Sequence, residues 1–262
     1  MTVSPKNSAN LSTWWKAFYD DCPFDLLLES EGRELKDTID FLQRELHLQP
    51  GAKVFDQCCG TGTLSFPLAE RGMNVVGADL CQKFIDAANL KAESSKAPCS
   101  FTQADAYEFT SSDCDGAFNW WTSFGYAGED SQNIKMIARA YASLKPGGWF
   151  ALDFPNMAHT IYTFDKYKER TTSFVKDGQT IELHRASELD LNGGYLKQTW
   201  RYIFADGTAI ERNSSVRLYL PYTLVNFFKD CGFQSVTTYA NVQSRPLSLA
   251  NDRVICVGQK PL

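Results

Sequence analysis

The first half of the chain alternates between short apolar runs and longer segments in which apolar residues recur every three or four positions. Runs such as KVFDQC, NVVGADL and WFALDF have the length of buried strands. RELKDTIDFLQRELH, at residues 33–47, and NIKMIARAYASLKPGG have the spacing of amphipathic helices. Strands that alternate with helices predict an α/β domain with a mostly parallel sheet covered on both faces.

The pattern changes after Asn156. Three strong hairpin-turn signals follow, at Asp177-Gly178, Asn192-Gly193 and Asp206-Gly207. The segments between them are rich in β-branched and aromatic residues, which predicts four antiparallel strands over about 172–219. A helical pattern, PYTLVNFFKDCGF, and two closing strands, SVTTYANV and RVICVGQK, then return to the α/β order. The chain is therefore predicted to carry a β-meander inserted into one α/β domain.

Composition narrows the class of protein. The 262 residues carry a net charge of −5 and no long run of Lys or Arg, which argues against a nucleic-acid partner. No stretch approaches the roughly 20 apolar residues of a membrane helix, and the polar start MTVSPKNSANLS has no signal core. A cytoplasmic location is expected. The eight cysteines include no C-x-x-C pair, so reduced thiols and no metal site are expected.

The stretch DQCCGTG joins the first predicted strand to a helix, which is the arrangement of a nucleotide cradle. A dinucleotide fingerprint would place a third glycine after Gly60 and Gly62, and the chain has none there. The carboxylate of Asp56 would repel a pyrophosphate but would suit a ligand with an ammonium group, such as S-adenosylmethionine. Asp79 ends the second strand, 19 residues after Gly60, where an acid can accept both ribose hydroxyls. Asp105 ends the third strand and can accept a hydrogen bond from the adenine amine.

Five successive stretches, VFDQCCGTG, VVGADL, FTQADAYEF, FNWWTSFGY and LKPGGWFALDF, resemble in order the motifs of class I S-adenosylmethionine-dependent methyltransferases. The resemblance covers residues 33–156 and, more weakly, the closing strands. It implies a Rossmann-like fold with a mostly parallel seven-stranded sheet, S-adenosyl-L-methionine as cofactor, and methyl transfer as the activity.

The resemblance also implies roles for individual residues. It puts Asp56, Gly60, Gly62 and Asn119 at the methionine end of the cofactor, Asp79 and Leu80 at the ribose and adenine, and Asp105 and Ala106 at the adenine edge. Cys58 is a departure, because the family usually has glycine at that position. A cysteine is tolerated there if its φ is negative. We interpret Cys58 and Cys59 as tight packing beneath the cofactor.

The acceptor is less well defined by sequence. Methyltransferases of nucleic-acid amines and of protein glutamine resemble one another in an Asn/Asp-Pro-Pro-Tyr motif, where this chain has Asn119-Trp120-Trp121-Thr122. TSFGY and the late β insertion resemble the small-molecule N- and O-methyltransferases, in which inserted strands cover the acceptor. A small-molecule acceptor is therefore expected, with N-methylation favoured over O-methylation.

Four side chains are candidates for the acceptor end of the site. Tyr19 and Tyr126 can approach the methyl group or a cationic acceptor through their rings. His184 can serve as a base, with a structural role in its strand as the alternative. Arg217 can hold an acceptor carboxylate, with a surface ion pair as the alternative.

The predicted domain organisation has four parts. Residues 1–32 form an N-terminal lid, or else a docked amphipathic helix, 33–156 the cofactor-binding core, 157–220 the inserted substrate cover and 221–262 the completion of the core. Two alternatives to a methyltransferase remain: an NAD(P)-dependent oxidoreductase and a non-catalytic S-adenosylmethionine-binding regulatory protein. A homodimer interface is the alternative role for the meander.

Overall fold

The computed structural model describes residues 13–19, 35–176 and 178–262. Most of the predicted lid, the first two positions of the predicted helix at 33–47, and the turn residue Asp177 lie outside these ranges.

Within residues 13–19 and 35–155, the α/β core shows two helices first and then strands that alternate with helices. Its elements are α1 (Trp15–Phe18), α2 (Leu35–Glu45), β1 (Lys53–Gln57), α3 (Ser65–Glu70), β2 (Asn74–Asp79), α4 (Gln82–Ser95), β3 (Cys99–Gln103), β4 (Cys114–Asn119), α5 (Asp130–Ser143) and β5 (Leu144–Pro155). The remaining elements are α6 (Met157–Tyr167), β6 (Glu169–Lys176), β7 (Gln179–Asp190), β8 (Tyr195–Ile203), β9 (Ala209–Arg217), α7 (Pro221–Asp230), β10 (Gln234–Tyr239) and β11 (Arg253–Gln259).

A seven-stranded sheet forms the core, in the order β3-β2-β1-β4-β5-β11-β10. Strands β1 to β5 pair with one another in parallel. Strand β11 runs antiparallel to both of its neighbours, β5 and β10. The order reverses between β1 and β4, and their carboxyl ends open a crevice at that point, which is where open α/β sheets bind ligands. The predicted fold class, a mostly parallel seven-stranded sheet, is confirmed.

A second sheet of four antiparallel strands, β6-β7-β8-β9, is inserted between β5 and α7. Its strands form a meander, and the pairing of Lys176 with Gln179 leaves a two-residue turn at the first predicted signal. Gly178, Gly194 and Gly207 have φ values of 75°, 71° and 83° at the three turns, which a residue with a β-carbon adopts only at a cost. The predicted inserted meander is confirmed.

Helix α6 precedes the meander and was not predicted. It contains no buried residue, although Met157, Ile161 and Phe164 recur at i, i+4 and i+7 as in an amphipathic helix. Its start is fixed by Asn156, whose side chain accepts a hydrogen bond from the backbone N–H of Ala158 at 3.2 Å. None of the helices in the described part of the chain is long and apolar enough to cross a membrane.

Candidate active site

A cavity of about 1070 Å³ lies between the carboxyl edge of the seven-stranded sheet and one face of the meander. The loops after β1, β2 and β3 form one end of its wall, with Gly60, Asp79 and Asp105 among the lining residues. The meander contributes Arg185 and Trp200 to the opposite end, and α1 with its neighbours closes the side. The cavity therefore extends from the predicted cofactor loops to the inserted sheet.

The loop after β1 is held against β2. The backbone N–H groups of Cys58 and Cys59 both donate to the carbonyl oxygen of Ala78, at 2.8 and 3.1 Å. A β-carbon at Gly62 would lie 2.8 Å from the Phe66 ring, whereas one at Gly60 would meet nothing within 4 Å. Gly62 therefore serves close packing inside the protein, and the backbone at Gly60 is open for a ligand to approach.

Cys58 has a φ of 64°, so the condition of a negative φ, under which cysteine would be tolerated without strain, is not met. The position keeps the left-handed backbone conformation that glycine favours, and the side chain bears the steric cost. Burial raises the pKa of the Cys58 thiol well above its usual range, which keeps the group neutral. A buried neutral thiol fits the packing role predicted for it rather than a nucleophilic one.

Asp79 lines the cavity and also holds the loop in place. Its two carboxylate oxygens accept hydrogen bonds from the backbone N–H groups of Gly60 and Cys81, each at 2.9 Å. Burial raises the pKa of Asp79, and these backbone donors oppose the rise. Because a carboxylate has about four acceptor sites, each oxygen keeps capacity for a hydroxyl of a ribose.

The adenine end of the predicted site is also exposed to the cavity. Leu80, Asp105 and Ala106 all line it beside Asp79. One oxygen of Asp105 accepts the backbone N–H of Tyr107 at 3.0 Å, which fixes the carboxylate at the cavity wall. The open backbone at Gly60 and these two acids fit an adenosine with no phosphate attached.

Three residues predicted to meet the methionine end lie behind the cavity wall. Asp56, Gly62 and Asn119 are not part of its lining. Asp56 is buried and accepts a hydrogen bond from the Ser65 hydroxyl at 2.6 Å. Asn119 is fully buried and donates to the side-chain oxygen of Gln57 at 3.2 Å. These residues support the loop from within, and a direct contact with the cofactor's ammonium group stays a prediction from sequence.

Burial raises the pKa of Asp56 to about 7, with a further contribution from Asp79 that opposes the bond from Ser65. Asp56 is the fourth residue of β1, and the pleat of the strand turns its side chain toward α3 rather than toward the edge of the sheet. Its position one residue before the end of the strand thus decides where the carboxyl group goes.

Two tyrosines meet at the side of the cavity. The hydroxyl oxygens of Tyr19 and Tyr126 lie 3.0 Å apart, and the Tyr126 hydroxyl donates to the carbonyl oxygen of Thr122 at 2.5 Å. Because Tyr126 has a single hydroxyl proton, Tyr19 is the donor in the pair. Burial raises the pKa of both tyrosines, so both hydroxyls stay protonated at neutral pH.

The helix α1 is docked on the meander and on the loop after β4. The Trp14 indole N–H donates to the carbonyl oxygen of Ser215 at 2.9 Å, and its ring lies 4.5 Å from that of Tyr126. Trp14 and Phe18 are buried, and Phe18 also contacts Trp200 of β8 at 5.8 Å between ring centroids. The described residues of the predicted N-terminal lid thus close one side of the cavity.

A strained turn follows β4. Trp121 and Thr122 have φ values of 57° and 64°, a rare conformation for bulky residues and for consecutive ones. Asp153 accepts the backbone N–H of Trp121 at 3.2 Å and forms a bidentate ion pair with Arg253, which also donates to the Thr122 hydroxyl at 2.8 Å. This ion pair holds the turn whose carbonyl oxygen positions Tyr126. No local pattern predicts this ion pair, because Asp153 and Arg253 are 100 positions apart.

His184 and Arg217 lie away from the cavity. His184 is exposed on the outer face of the meander, 3.2 Å from Glu182, and its neighbour Arg185 is the one that lines the cavity. Arg217 forms an ion pair with Asp130 at 2.8 Å and donates to the carbonyl oxygen of Gly193. The structure corrects both expectations: His184 is not placed as a base, and Arg217 is a structural clamp.

Among the described residues, no group of three or more His, Cys, Asp or Glu side chains is arranged to hold a metal ion. The Rossmann-like sheet, the open Gly60, Asp79 at the end of β2 and Asp105 after β3 together fit an adenosine-containing cofactor without a pyrophosphate.

Comparison with known proteins finds a matching domain and similar proteins. Residues 54–148 match a family model described as a methyltransferase domain. A Geobacillus sp. (strain WCH70) protein assigned as a methyltransferase is 23% identical over 253 residues, which cover 94% of this chain and 97% of that protein. The ubiquinone biosynthesis O-methyltransferase of Chromobacterium violaceum is 34% identical over 112 residues, 42% of this chain and 47% of its own.

The fold has solved counterparts. The sugar N-methyltransferase KedS8 from Streptoalloteichus sp. has a TM-score of 0.75 over 100% of this chain and 99% of its own, at 18% sequence identity. The chain therefore contains a methyltransferase domain over residues 54–148, in the fold of class I S-adenosylmethionine-dependent methyltransferases, and its cofactor is S-adenosyl-L-methionine.

Proposed function

We propose that this enzyme methylates a small molecule held between the cofactor loops and the meander, on nitrogen rather than on oxygen. The observation that carries the proposal is the continuity of the cavity. One wall carries Gly60, Asp79 and Asp105, and the opposite wall carries side chains of the inserted sheet. An acceptor placed between them is aligned with the cofactor and shielded from water, the two contributions on which methyl transfer chiefly depends.

The tyrosine pair supports nitrogen as the methylated atom. A hydroxyl acceptor needs a base to remove its proton in the reaction, whereas a neutral amine already presents a lone pair. No histidine lines the cavity within the described ranges, and the hydroxyls of Tyr19 and Tyr126 are kept protonated by burial. Tyr19 donates to Tyr126 at the side of the cavity, so the protonated pair can orient an acceptor but does not supply a base for a hydroxyl group.

The names of similar proteins include both N- and O-methylation. KedS8 is a sugar N-methyltransferase, and the Chromobacterium violaceum protein is a ubiquinone biosynthesis O-methyltransferase. Both names refer to small acceptors, in agreement with the net charge of −5 and with a cavity closed on one side by α1. A cytoplasmic location and the division into four segments remain predictions from sequence, as does a homodimer.

A screen for release of S-adenosylhomocysteine tests the proposal. The panel pairs each primary or secondary amine with the alcohol or phenol of the same skeleton, and mass spectrometry locates the added methyl group. We expect turnover with amines and much slower turnover with their hydroxyl counterparts. Turnover confined to phenols would show that the enzyme methylates oxygen and not nitrogen. Tight NAD binding without S-adenosylhomocysteine binding would contradict the methyltransferase assignment itself.

A further inference from the structure

The two faces of the meander differ in charge. Alternation along the strands puts all five acidic strand residues on the outer face, and these are Glu169, Glu182, Glu188, Asp190 and Glu211. Lys197 forms ion pairs there with Asp190 and Glu188, at 3.2 and 3.6 Å, and His184 contacts Glu182. No Asp or Glu occupies an inner-face position in β6 to β9.

The inner face carries arginines that line the cavity. Arg170 of β6 and Arg185 of β7 are direct cross-strand partners, and both belong to the cavity wall. Directly opposed residues have β-carbons about 4.5–5.5 Å apart, so the two side chains leave the sheet at neighbouring points of the same wall.

The aromatic ring of Trp200, on the next strand, packs against one of these arginines. Trp200 of β8 is the cross-strand partner of Arg185, and the Arg185 guanidinium carbon lies 4.8 Å from the Trp200 ring centroid. The Trp200 indole N–H donates to the hydroxyl of Ser214 at 3.0 Å, which fixes the ring. Stacking on an aromatic face pre-organises a guanidinium for binding an anionic group.

Polar side chains surround the arginines on the same wall. Thr172, Gln198 and Ser214 line the cavity from three different strands. Because Ser214 accepts from Trp200, its own hydroxyl proton is available for an acceptor atom. Carboxylates and phosphates are recognised by this combination of guanidinium and hydroxyl donors.

We infer that the acceptor carries an anionic group, a carboxylate or a phosphate, which Arg170 and Arg185 bind at the meander end of the cavity. Trp200 contacts Phe18 at 5.8 Å, and Phe18 contacts Tyr19 at 5.0 Å, so two aromatic side chains separate the arginines from the tyrosine pair. The anionic group and the methylated atom therefore stand at opposite ends of an elongated molecule. This inference rests on the proposed function, because it concerns the acceptor of the same cavity.

A binding experiment tests the arginines without any acceptor. Arg170→Gln/Arg185→Gln removes both charges and keeps side chains of similar shape. Arg201→Gln is the matched control, because Arg201 lies on β8 at an outer-face position opposite His184. Thermal midpoints are measured with saturating S-adenosylhomocysteine during titration with inorganic phosphate or acetate at constant ionic strength.

We expect phosphate or acetate to stabilise the wild type and the control, with at least about tenfold weaker apparent binding in the double variant, because charge-assisted hydrogen bonds are lost. The stronger of the two anions identifies a phosphate or a carboxylate acceptor. Equal midpoint shifts in all three proteins, or none in the wild type, would overturn the inference. A tenfold loss of S-adenosylhomocysteine affinity in the double variant would assign the arginines to the cofactor instead.

Measurements of kcat/KM separate this inference from the proposed function. Amines that carry a carboxylate or phosphate are compared with the matching amides and alcohols. The wild type should prefer the anionic member of each pair at least about tenfold in kcat/KM, and the double variant should lose that preference. Equal turnover of neutral and anionic amines would overturn the inference and leave the methyltransferase proposal standing. If the double variant is unstable, the two single variants are measured in the same way.

Discussion

The backbone N–H of Gly60 donates to a carboxylate oxygen of Asp79 at 2.9 Å. The acid predicted to bind the ribose therefore also holds the loop that faces the cofactor. Cofactor binding and local stability are coupled at this one contact, so a substitution at Asp79 changes both.

We expect Asp79→Ala to lower the affinity for S-adenosylhomocysteine at least tenfold, because each lost charge-assisted bond is worth roughly 1.5–3 kcal/mol. The ligand-free protein should also lose about 1–3 kcal/mol of unfolding free energy, since the N–H groups of Gly60 and Cys81 lose their acceptors. Calorimetry and urea unfolding measure the two effects. An unchanged affinity would remove Asp79 from the cofactor site.

The raised pKa of Asp56 predicts an unusual dependence of the unfolding free energy on pH. Its pKa is about 7 in the folded chain and about 4 when unfolded, so between these values only the folded chain holds the proton. Stability from this group is fully present below about pH 4 and is lost as pH rises to about 7. Asp56→Asn should therefore be more stable than the wild type at pH 8, by up to a few kcal/mol, and the gain should shrink at pH 4.5.

Urea unfolding of the ligand-free protein at the two pH values checks this. Glu93→Gln, at an exposed position of α4, is the control for removing one acidic group. A gain for Asp56→Asn that does not depend on pH would show that the carboxyl group is ionised throughout.

Cys58 allows backbone strain to be measured. In most positions alanine is more stable than glycine, but the left-handed φ of 64° should reverse this order. We expect Cys58→Gly to be more stable than Cys58→Ala by about 1 kcal/mol, and Cys58→Val to be the least stable because it is β-branched. Alanine more stable than glycine would contradict the backbone conformation at this position.

Arg217 should matter for stability and not for the acceptor. Arg217→Ala removes the ion pair with Asp130 and the hydrogen bond to Gly193, both half-exposed, so a loss of about 1–2 kcal/mol in unfolding free energy is expected. The acceptor KM should change less than about threefold, because a residue outside the cavity has little coupling to the ligand. Arg201→Ala is the control. A tenfold rise in KM with unchanged stability would return Arg217 to the acceptor site.

The tyrosine pair should act on the reaction rate. Tyr126→Phe removes the contacts to both Tyr19 and Thr122, and Tyr19→Phe removes the hydroxyl that donates to Tyr126. Each should lower kcat about tenfold through misalignment and change S-adenosylhomocysteine affinity less than about threefold. Tyr162→Phe, at a side chain that is 76% exposed, should leave kcat unchanged. Equal kcat in all three variants would leave the pair a packing role only.

Sequence predicted the sheet and the meander well because both follow from periodicity and turn chemistry, which are local. Sequence could not place individual site residues where a shift of one position along a strand turns the side chain to the other face. His184 and Arg185 are adjacent, and the pleat sends one to solvent and the other to the cavity. The same step puts Asp56 behind the wall, whereas Asp79, the last residue of its strand, lines the cavity.

Long-range contacts explain the other failures. The ion pair of Asp153 with Arg253, and the bond from Trp14 to Ser215, join residues 100 and 201 positions apart. A single sequence contains no periodicity that links such positions. The left-handed backbone at Cys58 is likewise fixed by the bonds of the loop to β2 rather than by the cysteine itself.

The two sheets share no strand, and the chain enters the meander after β5 and leaves it before α7. In a gene, the inserted sheet is thus one uninterrupted block of codons. Exchange of that block by recombination would bring a new inner face to the cavity while the hydrogen-bond ladders of the seven-stranded sheet stay as they are. Proteins that arise in this way could differ in their acceptors while they keep the same cofactor-binding sheet.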